Sequence, residues 1–91
     1  MLSFEEKIEK WYPEICSNIY CGASIPPEWE DIVVDALEEL RKYPISVAQI
    51  KEKFGGLRIY YDCGEEFGGD IRMYVDEIIY EAVCKAHKVH P

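Results

Sequence analysis

The feature that most constrains the fold is the segment 45–63, where two stretches of alternating polar and apolar residues flank Gly55-Gly56. Neighbouring glycines readily adopt the positive φ angles that a two-residue hairpin turn requires. A turn at these glycines places Phe54 opposite Leu57 as the first cross-strand pair. The segment therefore predicts an antiparallel β-hairpin.

The two predicted faces of this hairpin differ sharply in polarity. One face is apolar except for Glu52 near the tip. Its other members are Ala48, Ile50, Phe54, Leu57, Ile59, Tyr61 and Cys63. The opposite face consists of Gln49, Lys51, Lys53, Arg58, Tyr60 and Asp62. An isolated two-stranded hairpin is marginally stable in water, so we expect other elements to cover its apolar face.

The N-terminal part of the chain predicts a short helix followed by a long loop. Ser3 and Glu6 have the spacing of a capping box, and Pro13 ends the helical periodicity. Residues 14–27 contain no charged side chain after Glu14 and are rich in turn formers. A loop of this length is usually functional or fixed to the rest of the domain.

Two longer amphipathic helices are predicted, one before and one after the hairpin. The first starts at Pro26-Pro27, because proline fits the first turn of a helix, and it ends before Pro44. The second has Asp70 as its predicted N-cap and continues to about residue 88.

These elements predict a small α+β single domain formed by residues 1–91, with helices packed on one face of a two-stranded antiparallel hairpin in the order α-α-β-β-α. A chain of 91 residues has room for one hydrophobic core. Its formal net charge of −8 argues against duplex nucleic acid or an anionic membrane as a partner. No apolar stretch approaches the length that spans a bilayer, and the charged first residues lack the features of a secretion signal. We therefore expect the protein to act in the cytoplasm.

The first candidate site is the polar face of the predicted hairpin. Three of the ten basic residues lie within the eight-residue window 51–58 of an otherwise acidic chain. Arginine can hold a phosphate or carboxylate with two hydrogen bonds, and tyrosine offers a face for stacking. These residue types favour a small anionic, phosphorylated ligand or an acidic protein surface. The predicted binding residues are Gln49, Lys51, Lys53, Arg58 and Tyr60. The alternative is a solvated strand face whose lysines discourage aggregation.

The second candidate is a zinc site. Cys84 and His87 are three residues apart on the last predicted helix and point in the same direction, while Cys16 and Cys21 lie in the long loop. Together they make a Cys₃His set, which is one of the tetrahedral ligand sets of zinc. The alternative is that the thiols are buried or idle, as we expect for Cys63 on the apolar hairpin face.

The sequence does not predict a catalytic site. Cys84 with His87 would lack both an orienting third group and an oxyanion donor. Acidic pairs such as Glu38-Glu39 are neighbours in sequence, so their side chains diverge on a helix. We therefore expect that the protein is not an enzyme.

Residues 49–61, QIKEKFGGLRIYY, resemble the Q-[VI]-K-E-K-F-G-[GT]-L-R-[FI]-Y signature of short uncharacterised proteins of phages and prophages. Cys21-Gly22 and Trp29 match a Cys-Gly pair and a helix-opening tryptophan of that family, although the spacer is longer here. The C-x-x-C-G end of the family corresponds to Cys-Lys-Ala-His at 84–87. The resemblance implies a phage or prophage origin, an αββα-like fold and, by analogy with small accessory phage proteins, action on a host process such as immunity.

Three functions follow from these features. The first is a non-enzymatic, phage-type accessory protein that counters a host defence. It would bind a nucleotide signal or another small phosphorylated ligand, or an acidic host protein surface, through the hairpin face at 49–62. The second is a small zinc-stabilised structural or interaction module. The third is a homo-oligomeric domain with an aromatic interface, suggested by Tyr74 and Tyr80 on the last helix.

Overall fold

The computed structural model describes residues 3–16, 19, 23–63 and 68–89. Within these ranges the fold is α+β, with four α-helices, one 3₁₀ turn and a three-stranded mixed sheet. In chain order the elements are α1 (Phe4–Trp11), α2 (Pro13–Cys16), β1 (Ala23–Ser24), the 3₁₀ turn (Pro27–Trp29), α3 (Glu30–Leu40), β2 (Ile45–Lys53), β3 (Gly56–Cys63) and α4 (Gly69–Lys88). None of the described helices is both long enough and apolar enough to cross a membrane.

The sheet has one strand more than the sequence predicted. Its order is β1-β2-β3, with β2 and β3 antiparallel and β1 parallel to β2. In β1, Ala23 lies beside Ile50 and Ser24 lies beside Lys51. The prediction of a two-stranded antiparallel sheet is therefore correct for β2 and β3 but misses β1. Two residues are too few to show the alternation that identifies a strand, and they lie inside the predicted loop at 14–27.

The hairpin turn begins one residue earlier than the predicted glycine pair. Its central residues are Phe54 and Gly55, with φ angles of 55° and 79°. Leu57 consequently lies opposite Glu52 and Lys51 lies opposite Arg58, so the predicted pair of Phe54 with Leu57 is wrong. The register differs by two positions, and a shift of two keeps the strand residues 49–53 and 57–63 on their predicted faces.

A β-bulge in β2 changes the predicted alternation near the start of the strand. Val47 pairs with Tyr61 and Gln49 pairs with Tyr60, which leaves Ala48 as the extra residue. Ala48 is buried, as predicted for it, but Val47 is also buried and belongs to the core. The bulge therefore allows two consecutive residues of β2 to be buried, which strict alternation does not anticipate.

The hydrophobic core joins residues of the helices with the apolar residues of β2 and β3. Trp29 is its largest fully buried side chain, and the indole Nε1 donates a hydrogen bond to the carbonyl oxygen of Val89 at 3.0 Å. The other fully buried side chains are Ile8, Ile15, Leu37, Leu40, Ile50, Leu57, Val33, Val47, Val75 and Cys16. The 3₁₀ turn is thus fixed to the C-terminal end of α4, although the two are distant in sequence.

A hydrogen bond between β3 and α4 also positions the sheet. The phenol of Tyr61 donates to the Asp76 carboxylate at 2.6 Å. Burial raises the pKa of Tyr61 to about 12, and the hydrogen bond to Asp76 contributes in the same direction. The phenol therefore stays protonated and able to donate throughout the neutral range.

The helix starts follow the sequence signals at Ser3 and at Pro26-Pro27, where the 3₁₀ turn that leads into α3 begins, but not at Asp70. Ser3 and Glu6 form both hydrogen bonds of a capping box, as their spacing predicts. Asp70 is not the N-cap of α4: the helix starts at Gly69, with Gly68 as a cap that has no side-chain bond. Asp70 lies in the first turn, where its negative charge still interacts favourably with the helix dipole.

Candidate binding surface

The outer face of the hairpin carries the five residues predicted to bind a ligand or partner. Gln49 lies directly opposite Tyr60, and Lys51 lies directly opposite Arg58. Lys53 follows at the end of β2, next to the turn. Because side chains on a strand alternate between faces, all five lie on the same side of the sheet. The structure thus brings together the predicted binding residues, in different pairs from those expected.

The cations of this face have no acidic partner in the part of the chain that the structure describes. Among the described residues, no carboxylate lies within ion-pair distance of Lys51, Lys53 or Arg58. The ion pairs that do occur involve Arg41, with Glu14 and Glu38, and Lys42, with Glu39. Like charges directly opposite each other on neighbouring strands are destabilising, so the Lys51–Arg58 pair opposes folding. The positive charge of this face is therefore available to an external partner.

Aromatic rings lie beside two of these cations. The Nζ atom of Lys51 is 5.7 Å from the centre of the Tyr60 ring, and the Nζ atom of Lys53 is 5.6 Å from that of Phe54. Both distances fall within the range of a cation–π contact. The contacts orient the lysines while leaving their ammonium groups unpaired with an anion.

Phe54 is a binding candidate that the sequence prediction missed. It was expected on the apolar face, but it lies at the hairpin tip with 91% of its surface exposed. Its φ angle of 55° is in the left-handed region, which costs a bulky residue about 1–2 kcal/mol. A large apolar side chain that is both exposed and strained contributes little to folding. The sequence carries no signal for this alternative turn, because Gly-Gly is a preferred pair for a two-residue turn and Phe-Gly is not.

We use "hairpin surface" for Gln49, Lys51, Lys53, Phe54, Arg58 and Tyr60 together. The turn that presents it is fixed by Glu52, whose carboxylate accepts a hydrogen bond from the backbone N–H of Gly55 at 2.6 Å. On the other side, Ser24 of β1 lies beside Lys51 and is exposed. The same face of the sheet thus extends beyond the hairpin surface to β1. Ser24 could not be assigned to this face from the sequence, because β1 was not predicted.

The described cavities lie elsewhere in the molecule. One, of about 70 Å³, is lined by α3 and α4, with Ile32 and Ile78 beside acidic residues such as Asp35 and Glu81. The other, of about 80 Å³, is lined by Asp70, Met73, Tyr74 and Glu77. Neither contains a residue of the hairpin surface, which is an open face of the sheet.

The proposed zinc ligands do not converge where the structure describes them. Cys16 is buried, and burial raises the pKa of its thiol to about 12, with Glu14 and Glu9 adding smaller effects. No group of three or more histidine, cysteine or acidic residues within 3–16, 19, 23–63 and 68–89 could hold a metal ion, which excludes Cys16, Cys84 and His87 as such a group. Cys21 lies outside the described residues.

The remaining cysteines lie at partly exposed positions. Cys84 is half-buried, and its interaction with Tyr80 raises the pKa of that phenol. Cys63, predicted to be in the core, is also half-buried, and its Sγ accepts a hydrogen bond from Arg72 at 3.4 Å. Neither thiol belongs to the buried core cluster.

The aromatic residues of α4 remain a second exposed region. Tyr74 stacks on Tyr43, with ring centres 6.5 Å apart and an angle of 18° between the planes. Tyr80 is 68% exposed, and Met73 is exposed nearby on the same helix. Tyr74 therefore contacts another residue of the same chain, and its presence on α4 does not require an interface with a partner.

Comparison of the chain with known protein families, with curated proteins and with solved structures finds no match. The resemblance of residues 49–61 to phage proteins therefore stays a prediction. Functional inference rests on the charges, the exposure and the geometry of the hairpin surface.

Proposed function

We propose that this chain is a non-enzymatic accessory protein that binds an acidic, partly apolar surface of a partner protein through the hairpin surface. The resemblance of residues 49–61 to phage proteins supports a partner in a bacterial host, where interference with a defence system would be the corresponding role. The observation that carries the proposal is a group of three cations that lack acidic partners among the described residues and lie beside an exposed phenylalanine. The proposal has two parts, one electrostatic and one apolar.

The electrostatic part depends on Lys51, Lys53 and Arg58. The chain as a whole has a net charge of −8, so three cations on one face with no ion pair to another described residue form a local exception. Two of them face each other across the strands, an arrangement that lowers the stability of the hairpin. An acidic partner would relieve this repulsion on binding, and Arg58 could hold a carboxylate with two hydrogen bonds.

The apolar part depends on Phe54. Exposed aromatic side chains that insert into a pocket on the partner often dominate the binding energy of an interface. Phe54 lies at the most protruding part of the hairpin, and Lys53 contacts its ring. The combination suits a partner segment that presents apolar side chains next to acidic ones.

The shape of the surface favours a protein over a small phosphorylated ligand. Small-molecule sites are usually concave and enclose most of their ligand. The hairpin surface is an open sheet face, and the two described cavities are formed by other residues. A nucleotide held on this face would leave much of its own surface in water.

A defined peptide tests the proposal. We expect a fluorescein-labelled dodecapeptide of Glu-Glu-Leu repeats to bind the protein in a fluorescence anisotropy titration. The double variant Lys51→Glu and Lys53→Glu should weaken binding at least tenfold, which corresponds to about 1.4 kcal/mol. The matched control is Lys10→Glu and Lys88→Glu, which changes the net charge equally at two exposed lysines on helices and should bind as the wild type does.

ATP provides the competing arm of this experiment. ATP binding to the wild type, with weaker binding to the Lys51→Glu and Lys53→Glu variant and no binding of the peptide, would contradict the proposal. In that case the surface takes a phosphorylated ligand and the proposed protein partner is wrong. Equal weakening of peptide binding in both double variants would show that net charge alone is responsible and would also overturn the proposal. Far-UV circular dichroism verifies that each variant is folded.

A further inference from the structure

The outer edge of β3 is a second feature of the hairpin that points to a partner. In the order β1-β2-β3, β3 is an edge strand, and β2 is its one hydrogen-bonded neighbour among the described strands. An edge strand presents N–H and C=O groups to whatever strand can pair with it. β3 extends over Gly56–Cys63, which is long enough to pair with another strand.

The outward side chains of β3 are complementary to themselves. Arg58, Tyr60 and Asp62 follow one another at intervals of two residues, so they lie on one face. When two such strands pair antiparallel with Tyr60 at the centre, Arg58 of each copy lies directly opposite Asp62 of the other. We propose that two copies of this chain associate edge to edge through β3 in this register, forming a continuous six-stranded sheet.

Within a single copy, Arg58 and Asp62 do not lie opposite residues of opposite charge. Arg58 faces Lys51, and Asp62 faces Ser46. Four residues along a strand separate positions by about 13 Å, so Arg58 and Asp62 of one copy cannot form an ion pair with each other. Neither residue has an ion-pair partner among the described residues. A second copy supplies the opposite charge to both at once.

The charge pattern also selects the register. Residues paired across two antiparallel strands lie on the same face of the sheet. In a two-fold pair of β3 strands, the central residue therefore lies opposite the same residue of the other copy, and the possible registers differ in which residue this is. A centre at Arg58 or at Asp62 would place like charges against each other. A centre at Ile59 or Tyr61 would place one charged residue against Tyr60. The register centred on Tyr60 is the one that forms two opposite-charge pairs.

The symmetry of this pairing has a consequence for the hairpin surface. The two-fold axis is perpendicular to the sheet, so the outer faces of both copies lie on the same side. Lys51 and Lys53 of both copies would then lie on one continuous surface. The interface is small, so we expect a weak, concentration-dependent dimer. Arg58 pairs with Asp62 of the second copy in this dimer, which leaves Lys51, Lys53 and Phe54 for the proposed partner. The edge pairing would stand even if that partner were wrong, because it concerns the β3 edge.

A charge-swap experiment tests the edge pairing. In sedimentation velocity between 10 and 400 µM, we expect the wild type to shift from the 10.6 kDa of one chain toward twice that mass. Arg58→Glu should place Glu against Asp62 of the second copy, and Asp62→Lys should place Lys against Arg58. Each single variant should weaken dimerisation at least tenfold. The double variant Arg58→Glu and Asp62→Lys restores opposite charges and should dimerise as the wild type does.

Other outcomes would overturn the pairing. A wild type that stays monomeric at 400 µM contradicts it, as does a dimer that neither single variant weakens. A dimer that neither single variant weakens would be mediated by another surface, such as the exposed side of α4 around Tyr80. The matched control Lys10→Glu should leave dimerisation unchanged, and Lys51→Glu with Lys53→Glu should also dimerise, which separates this result from peptide binding.

Discussion

Replacing Trp29 by alanine is expected to lower the free energy of unfolding by about 4 kcal/mol. The side chain is fully buried and is the largest in the core, so the substitution leaves a cavity. It also removes the hydrogen bond from the indole Nε1 to the carbonyl oxygen of Val89. Domains of this size are stable by about 5–15 kcal/mol, so this loss is a large fraction of the total free energy of unfolding.

Trp29→Phe is the control that separates these two effects. Phenylalanine keeps most of the apolar volume but cannot donate to Val89, so we expect a loss of about 1–2 kcal/mol. Urea denaturation followed by far-UV circular dichroism measures both variants. A cost below about 1 kcal/mol for Trp29→Ala would contradict the position of Trp29 at the centre of the core.

Replacing Phe54 by asparagine is expected to stabilise the protein and to weaken partner binding. Asparagine tolerates the left-handed conformation much better than phenylalanine, and Asn-Gly is a preferred pair for this type of turn. The substitution loses the contact between Lys53 and the ring, which is worth about 0.5–1 kcal/mol at an exposed site. We expect a net gain of about 1 kcal/mol in the free energy of unfolding.

The same substitution should weaken binding of the Glu-Glu-Leu peptide about tenfold, or about 1.4 kcal/mol, because it removes the exposed apolar group of the hairpin surface. Tyr80→Gln is the control, since it removes a similarly exposed aromatic ring far from the hairpin tip in sequence. It should leave peptide binding unchanged. A Phe54→Asn variant that is less stable than the wild type and binds the peptide equally well would show that Phe54 serves the fold and not a partner.

Local sequence signals predicted the elements that depend on neighbouring residues. The capping box of Ser3 and Glu6 is present, and the alternation in the hairpin places Lys51 and Arg58 on the polar side of the sheet. These features depend on contacts within a few residues or across one turn. Periodicity and capping chemistry are sufficient to identify them.

Features that depend on contacts distant in sequence could not be predicted in the same way. β1 is two residues long and becomes a strand because it lies beside Ile50 and Lys51 of β2. The glycine pair allows turns at Phe54-Gly55 as well as at Gly55-Gly56. The observed turn agrees with the hydrogen bond from Gly55 to the Glu52 carboxylate. The one-residue difference decides whether Phe54 is part of the core or of the binding surface.

Cys16 of the candidate zinc site is another residue whose environment depends on contacts distant in sequence. Its position in a turn-rich segment made it a plausible ligand, but the side chain is fully buried in the core. Burial depends on residues such as Ile50 and Val47, which are distant in sequence and belong to the same core cluster. Ligand spacing alone carries no information about such burial.

Photo-crosslinking from the hairpin tip tests most directly whether the hairpin surface binds a partner protein. The residue p-benzoylphenylalanine replaces Phe54 in one variant and the exposed Tyr80 in another, and both are irradiated in bacterial cells that produce them. We expect a discrete crosslinked product with a host protein from position 54 that disappears when Lys51→Glu and Lys53→Glu are added. Crosslinks to a host protein from position 80 with none from position 54 would contradict the assignment of this surface.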